Sequence, residues 1–192
     1  MIELTWLDPS KLEFPPVEQA MQDPDGLLAV GGDLSKERLL LAYSKGIFPW
    51  YEDDQPLLWW SPDPRAVIEP QNVKISRSLR KRLRKREFEV RVDTAFDDVV
   101  KRCQSPRAYS NETWITNEMR QAYLALHRDG YAHSIECYQD KELVGGLYGV
   151  SIGRLFFGES MFHAATDASK VAFVALCRLL RQQGCPLVDC QM

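Results

Sequence analysis

No apolar run in this chain approaches the ~20 residues needed to cross a bilayer. The first residues, Met1-Ile2-Glu3-Leu4-Thr5-Trp6, carry neither a basic segment nor a long apolar one, so no signal peptide is expected. Repeats and low-complexity tracts are absent too. These absences point to a soluble cytoplasmic protein with no membrane partner. Metal-ligand patterns are equally scarce. The five cysteines are odd in number and form no C-x-x-C pair, and His127, His133 and His163 are scattered. Neither a disulfide framework nor a metal site is expected, and the cysteines read as reduced, mostly buried apolar fillers. Against these absences stands an ordinary globular composition of 45% hydrophobic and 27% charged residues over 192 positions. That is enough for one large domain or two small ones.

The net charge of −3 says little, but its distribution says more. Lys74, Arg77, Arg80, Lys81, Arg82, Arg84, Lys85 and Arg86 are eight of the 24 Lys and Arg, with no acid among them. Ser76 can cap a helix running through Lys85. Ile75, Leu79 and Leu83 would form its narrow apolar stripe, while Arg77, Arg80, Lys81 and Arg84 would share an exposed face. Such a row can be an ordinary solvated face. It can also track a phosphate backbone, and eight cations without an acid favour the polyanion.

Residues 1–64 are rich in turn formers and aromatics and read as a small N-terminal α/β domain, with one helix over Glu37–Ser44 capped by Ser35 and ended by Gly46. Residues 65–192 form the second domain. A short strand over Ala66–Glu69 precedes the basic helix, and Phe88–Val92 follows it as a strand. Helices are expected over Phe96–Arg102 and Thr116–Arg128. Strands over Ala132–Tyr138, Glu142–Ser151 and Arg154–Met161 make a meander, with turns at Gln139-Asp140-Lys141 and Gly153. Thr166 or Asp167 would cap a helix over Ala168–Gln182, stopped by Gly184, and Leu187–Gln191 would be the last strand. The class is α+β with a mostly antiparallel sheet, in the order of the acetyltransferase-like fold. The turn His163–Lys170 has no glycine and places Asp167 where a pyrophosphate would sit, so a coenzyme A cradle is not expected.

Three further stretches could carry chemistry. Gly46–Trp50 with Trp59–Arg65 offers aromatic faces that can stack a base, or simply bulk for a small core. In Leu155–Phe162, strand alternation puts Phe157, Glu159 and Met161 on one face. Glu159 would then line a pocket or meet a cation, unless its strand is an edge in water. In Val188–Gln191 the same alternation pairs Asp189 with Gln191. A glutamine carbonyl can orient an amine, and an aspartate can fix that amide, although two polar residues at a strand end need mean nothing.

The ordered set of stretches resembles one family over nearly the whole chain, the bacterial leucyl/phenylalanyl-tRNA–protein transferases. The matching segments are Phe14-Pro15-Pro16, Asp25–Leu34, Gly46–Trp50, Trp59–Arg65, Thr113-Trp114-Ile115, His133–Glu136, Leu143–Val150, Phe157–Phe162, Ala168-Ser169-Lys170 and Asp189-Cys190-Gln191. The resemblance implies an acetyltransferase-like larger domain and transfer of Leu or Phe, and Met less well, from aminoacyl-tRNA to proteins that begin with Arg or Lys, marking them for degradation. It implies no cofactor, ATP or metal, and a monomer. Asp189 and Gln191 would be catalytic, and Glu159 would face the acceptor. Trp50 and Trp114 would hold the terminal adenosine, Met161 would line the aminoacyl pocket, and Arg77, Arg80, Lys81 and Arg84 would hold the tRNA backbone. The family pattern continues past Gln191 by a strand, a helix and a tail with a His-x-x-Ser-Leu-Gly-like segment, so a shortened second domain is expected. Two other functions fit the fold and the charge. One is an aminoacyl-tRNA-dependent ligase of cell-wall peptides, and the other is a tRNA-binding module without chemistry.

Overall fold

Local sequence signals account for most of the elements in the computed structural model, which describes residues 4–105 and 115–192. The chain divides into two compact units, the first of residues 1–66, 104–125 and 191–192 and the second of residues 67–103 and 126–190.

The first unit holds a mixed sheet ordered β1-β2-β4-β3, formed by β1 (Thr5–Leu7), β2 (Leu27–Gly31), β3 (Phe48–Pro49) and β4 (Leu58–Trp60). Helix α1 (Lys36–Ser44) starts where expected, with the Ser35 hydroxyl accepting from the Arg38 amide at 3.3 Å. Trp59 is fully buried, edge-on to Phe14 at 4.9 Å, and donates its indole N–H to the Gly31 carbonyl. This tryptophan serves as core. The Arg38 guanidinium, 1% exposed, donates to the carbonyls of Asp8, Pro9, Lys11 and Glu13 and pairs with Asp33 at 3.3 Å. One buried cation thus ties down the irregular segment after β1.

The second unit is built on a six-stranded mixed sheet ordered β5-β10-β9-β8-β7-β6. Its strands are β5 (Val67–Ile68), β6 (Glu89–Val92), β7 (Ala132–Gln139), β8 (Glu142–Ile152), β9 (Leu155–His163) and β10 (Leu187–Asp189). Neighbouring pairs run antiparallel except β9 and β10, which are parallel because α5 (Ala168–Gln182) carries the chain back between them. Asp140 and Lys141, both at positive φ, form the two-residue turn between β7 and β8. One sheet face buries Ile135, Leu147, Phe156 and Val188 against Val171, Val174, Leu176 and Leu180 of α5. Helix α2 (Arg77–Lys85) joins this core through Leu79, flanked by Ile75 and Leu83, and the Ser76 hydroxyl accepts from the Leu79 amide. Helix α3 (Phe96–Gln104) covers the other face, where Phe96 meets Tyr148 edge-on at 5.8 Å. The fully buried Glu136 carboxylate accepts from the Thr94 and Ala95 amides at the start of α3 and from the Ser134 hydroxyl, where the helix dipole favours a negative charge.

Helix α4 (Asn117–Arg128) belongs to the first unit up to Ala125. There the Tyr123 and Tyr43 hydroxyls bond at 2.6 Å. Among the described residues no helix is long and apolar enough to cross a membrane. Cys103, Cys137, Cys177 and Cys185 are buried thiols. Burial pushes the Cys137 thiol up to about 12 and that of Cys177 to about 11, which makes both poor nucleophiles.

Two expectations fail. Asp167 sits at the cap position of α5, but in the left-handed region and with no side-chain cap. Its carboxylate meets Lys170 at 3.0 Å and Arg82 at 3.3 Å instead. The last strand stops at Asp189, and Gln191 stands beyond it at φ 68°. Strand alternation therefore does not relate Asp189 to Gln191.

Candidate active site

The candidate site begins with a register slip. Tyr148 pairs with Ser160 but Gly149 pairs with Gly158, so Glu159 is the extra residue of a β-bulge in β9. A bulge shifts the two-residue period. Met161 pairs with Leu147 and so faces α5, whereas Phe157 and Ser160 face the side of Tyr148 and α3. Glu159, only 8% exposed, lies close enough to Tyr148 for its charge to act on the phenol. The shared face expected for Glu159 and Met161 does not form. Regular alternation fails because the bulge intervenes between them.

Asp189 pairs with Phe157 and Val67, next to Val188 on the α5 face, so its buried carboxylate is on the opposite face, the one that carries Glu159. Two carboxylates thus share one side of the sheet, on neighbouring strands. Burial, with the Glu159 charge nearby, holds the Tyr148 phenol well above its ordinary range, so this hydroxyl stays protonated and can donate.

Arg77, Arg80, Lys81 and Arg84 are exposed, and none of them joins an ion pair among the described residues. Arg82 differs. It bridges Glu87 at 2.7 Å and Asp167 at 3.3 Å, while Lys85 meets Glu87 at 3.3 Å. The eight-cation segment therefore resolves into a solvated row of four, a pair, Arg82 and Lys85, neutralised by Glu87 and Asp167, and Lys74 and Arg86 at its two ends.

Trp50, half-buried in the first unit, lies edge-on to Trp60 at 5.4 Å, and its carbonyl accepts from the Trp60 indole at 2.7 Å. Trp114 lies outside the described residues.

Two cavities open on the α5 face of the sheet. One, of about 550 Å3, is lined by Met161, Phe173 and Val174 together with Lys74, Lys170 and Glu69. The other, of about 430 Å3, is walled by Ile135, Phe156, Leu176, Leu179 and Leu180, with Asp93 and His133 at one side. His133 donates to Asp93 at 2.7 Å, a hydrogen bond that raises the imidazole above its ordinary pKa against the pull of burial. Burial works to raise the Asp93 carboxyl, but the bonds from His133 and the Ser134 amide outweigh it and lower the pKa. The second cavity escaped the sequence reading. Its walls read as ordinary strand and inner-helix positions, and only the packing of β7, β9 and α5 opens a space among them.

The family model described as "Leucyl/phenylalanyl-tRNA protein transferase" matches residues 67–192, and that of its N-terminal domain matches residues 32–63. A curated leucyl/phenylalanyl-tRNA–protein transferase of Stutzerimonas stutzeri is 58% identical over 98% of this chain and 84% of its own length. One of Aromatoleum aromaticum is 59% identical over 98% of this chain and 79% of its own. One of Saccharophagus degradans is 55% identical over the whole of this chain and 79% of its own. Among solved structures, L-PGS from Bacillus licheniformis superposes with a TM-score of 0.47 at 12% identity, over 81% of this chain and 49% of that one. A match that loose carries no argument.

Proposed function

Because the chain belongs to the leucyl/phenylalanyl-tRNA–protein transferase family, we infer that it is an aminoacyltransferase, moving an amino acid from aminoacyl-tRNA to the N-terminus of a protein. The observation that carries this is identity of 55–59% with curated transferases over nearly the whole chain. The donor amino acids are Leu and Phe, with Met a weaker one. Acceptors begin with Arg or Lys and are thereby marked for degradation. The enzyme works as a cytoplasmic monomer. Its larger domain, within residues 65–192, is acetyltransferase-like, and residues 1–64 belong to the smaller one, which the 104–125 and 191–192 segments join. Support for the larger domain comes from the meander β7–β9 followed by α5 and the parallel strand β10.

The reaction exchanges an ester for an amide. The acceptor's α-amine attacks the ester carbonyl, the C–N bond forms, and the C–O bond to the ribose breaks. The ribose oxygen leaves with the proton that the amine gives up. The ester is already activated, so the step runs downhill without ATP. The Gln191 side-chain oxygen accepts from the attacking amine, and Asp189 fixes that amide's orientation. The positive φ at Gln191 means that the bent backbone after β10, not strand alternation, sets the direction of the side chain. Catalysis then rests mainly on positioning. Glu159, beside Asp189 on one sheet face, offers a carboxylate to the acceptor's Arg or Lys side chain. Trp50 and Trp114 hold the terminal adenosine, and Arg77, Arg80, Lys81 and Arg84 the tRNA backbone.

The Leu or Phe side chain enters the cavity of Met161, whose walls are mostly apolar, with Val67, Ile68, Leu79, Phe173 and Val174. Lys74, Lys170 and Glu69 also line it, but all three are exposed and keep their charges in water. An apolar pocket separates side chains by only about 1–3 kcal/mol per methylene, so some Met is accepted. Changing Gln191→Ala tests the chemistry. Transfer should fall by orders of magnitude while tRNA binding persists, and unchanged transfer would reject the role.

A further inference from the structure

The Met161 cavity is lined by Leu79 of α2 and by Phe173 and Val174 of α5, so both helices border it. They lie on the same side of the sheet, packed into one core. The outer row of α2, Arg77, Arg80, Lys81 and Arg84, suits one strand of a polyanion. Helix α5 carries cations of its own. From Ala168 to Val188 the chain has Lys170, Arg178 and Arg181 and no acid, and all three are exposed.

Their spacing ties them to the cavity. Lys170, Val174, Arg178 and Arg181 stand at i, i+4, i+8 and i+11, on one side of the helix. Val174 lines the cavity, so Arg178 and Arg181 continue along the same side, about 6 and 10 Å further on at 1.5 Å per residue. Arg154, exposed in the turn between β8 and β9, donates to the Gly184 carbonyl at 2.8 Å and so adds a guanidinium beside the end of α5. Helix electrostatics explains part of this row. Lys170 meets Asp167 at 3.0 Å, and Arg181 lies in the last turn, where the dipole favours a cation. Arg178 has neither reason, being in mid-surface and in no ion pair among the described residues.

Two basic rows on two helices that border one cavity match two phosphate strands rather than one. We propose that Arg178 and Arg181, with Arg154 beside them, hold the second strand of the paired stem of the donor tRNA, while the α2 row holds the first. The stem then lies across both helices and presents its ester to the cavity they border. The inference rests on the aminoacyl-tRNA reading. Contacts of this kind go to phosphates, so they position the stem and read no sequence.

The test uses Arg178→Gln with Arg181→Gln in the full chain. The RNA probes are a blunt hairpin with no unpaired end and a single strand of equal length, with binding read by fluorescence anisotropy across a salt series. For the hairpin, the double variant should bind about tenfold more weakly at low salt, and its slope of log K against log salt should flatten by about 1.4–1.8. Binding of the single strand, which follows α2 alone, should stay within about twofold. The KM for leucyl-tRNA in transfer to an Arg-starting peptide should rise about tenfold. A hairpin slope left unchanged would overturn the proposal, as would equal losses on hairpin and single strand. If the unaltered chain binds the hairpin through these arginines yet transfers no leucine, the transferase reading falls and the duplex surface stands. If transfer proceeds and the variant keeps both its KM and its hairpin slope, the surface falls and the transferase reading stands.

Discussion

Gly149 has no room for a side chain, and the consequence reaches the candidate site. A Cβ built there would stand 2.2 Å from the Phe157 carbonyl oxygen and 2.5 Å from the Phe156 ring. The ring could turn, but the oxygen belongs to the backbone of the paired strand, so β8 and β9 would have to part. Overpacking of this kind costs about 1–3 kcal/mol. The contact with fixed backbone puts Gly149→Ala at the upper end, less about 0.5 kcal/mol recovered from the stiffer unfolded chain. A net loss of about 2 kcal/mol lowers the melting midpoint of a chain this long by roughly 4–8 °C. Gly149 also faces the bulge that holds Glu159, so parting the strands swings that carboxylate away from its face. The assay is thermal unfolding by circular dichroism, run beside transfer kinetics with an Arg-starting peptide. Gly158→Ala is the control for stability, since its Cβ would meet only the Asp189 carbonyl at an ordinary 3.6 Å. Gly149→Ala should melt several degrees lower and show a raised KM for the peptide. A variant as stable and as active as its parent would refute the close approach and the role given to the bulge.

Three other outcomes follow from the same geometry. Changing Arg80→Glu and Arg84→Glu should weaken tRNA binding and flatten its dependence on log salt by about 1.4–1.8, at roughly 0.7–0.9 per lost phosphate contact; an unaltered slope would make the row a bystander. The Asp93–His133 pair sets a pH window for stability. The raised His133 pKa contributes fully below the ordinary imidazole value of about 6.5 and is lost as pH rises through the higher folded value. The lowered Asp93 pKa contributes above about 3.9 and is lost as pH falls through the lower folded value. Urea midpoints should therefore drop as pH rises above about 6.5, and His133→Gln should remove that drop; a drop that persists in the variant would assign it elsewhere. Phe173→Trp should narrow the Met161 cavity and reduce transfer of Phe more than that of Leu, whereas equal transfer of both would move the aminoacyl pocket.

What the sequence disclosed was local. Helix α2 was legible because its cap, Ser76, and its stripe, Ile75, Leu79 and Leu83, lie within three turns of one another. The turn at Asp140 and Lys141 was legible for the same reason, and so was the stop at Gly184, which sits at φ 68°. The misses came from partners distant in sequence. Asp167 looked like a cap, but Arg82 of α2 claims its carboxylate. The alternation through Glu159 failed because β8 pairs with β9 through a bulge opposite Gly149, and no pattern within β9 announces that slip. Nothing within α1 marks Arg38 as buried, and only the carbonyls of residues 8–13 explain its burial. The pairing of Glu159 with Asp189 on one face depends on β9 and β10 being parallel neighbours, a fact of topology rather than of either segment.

The most direct measurement gives the chain leucyl-tRNA carrying labelled leucine, with three acceptors present in equal amounts. These are a peptide beginning with Arg, the same peptide with its α-amine acetylated, and a cell-wall peptide precursor. Label should appear as an amide on the α-amine of the free Arg peptide alone. Label on the precursor, on the acetylated peptide, or on none of the three would contradict the account.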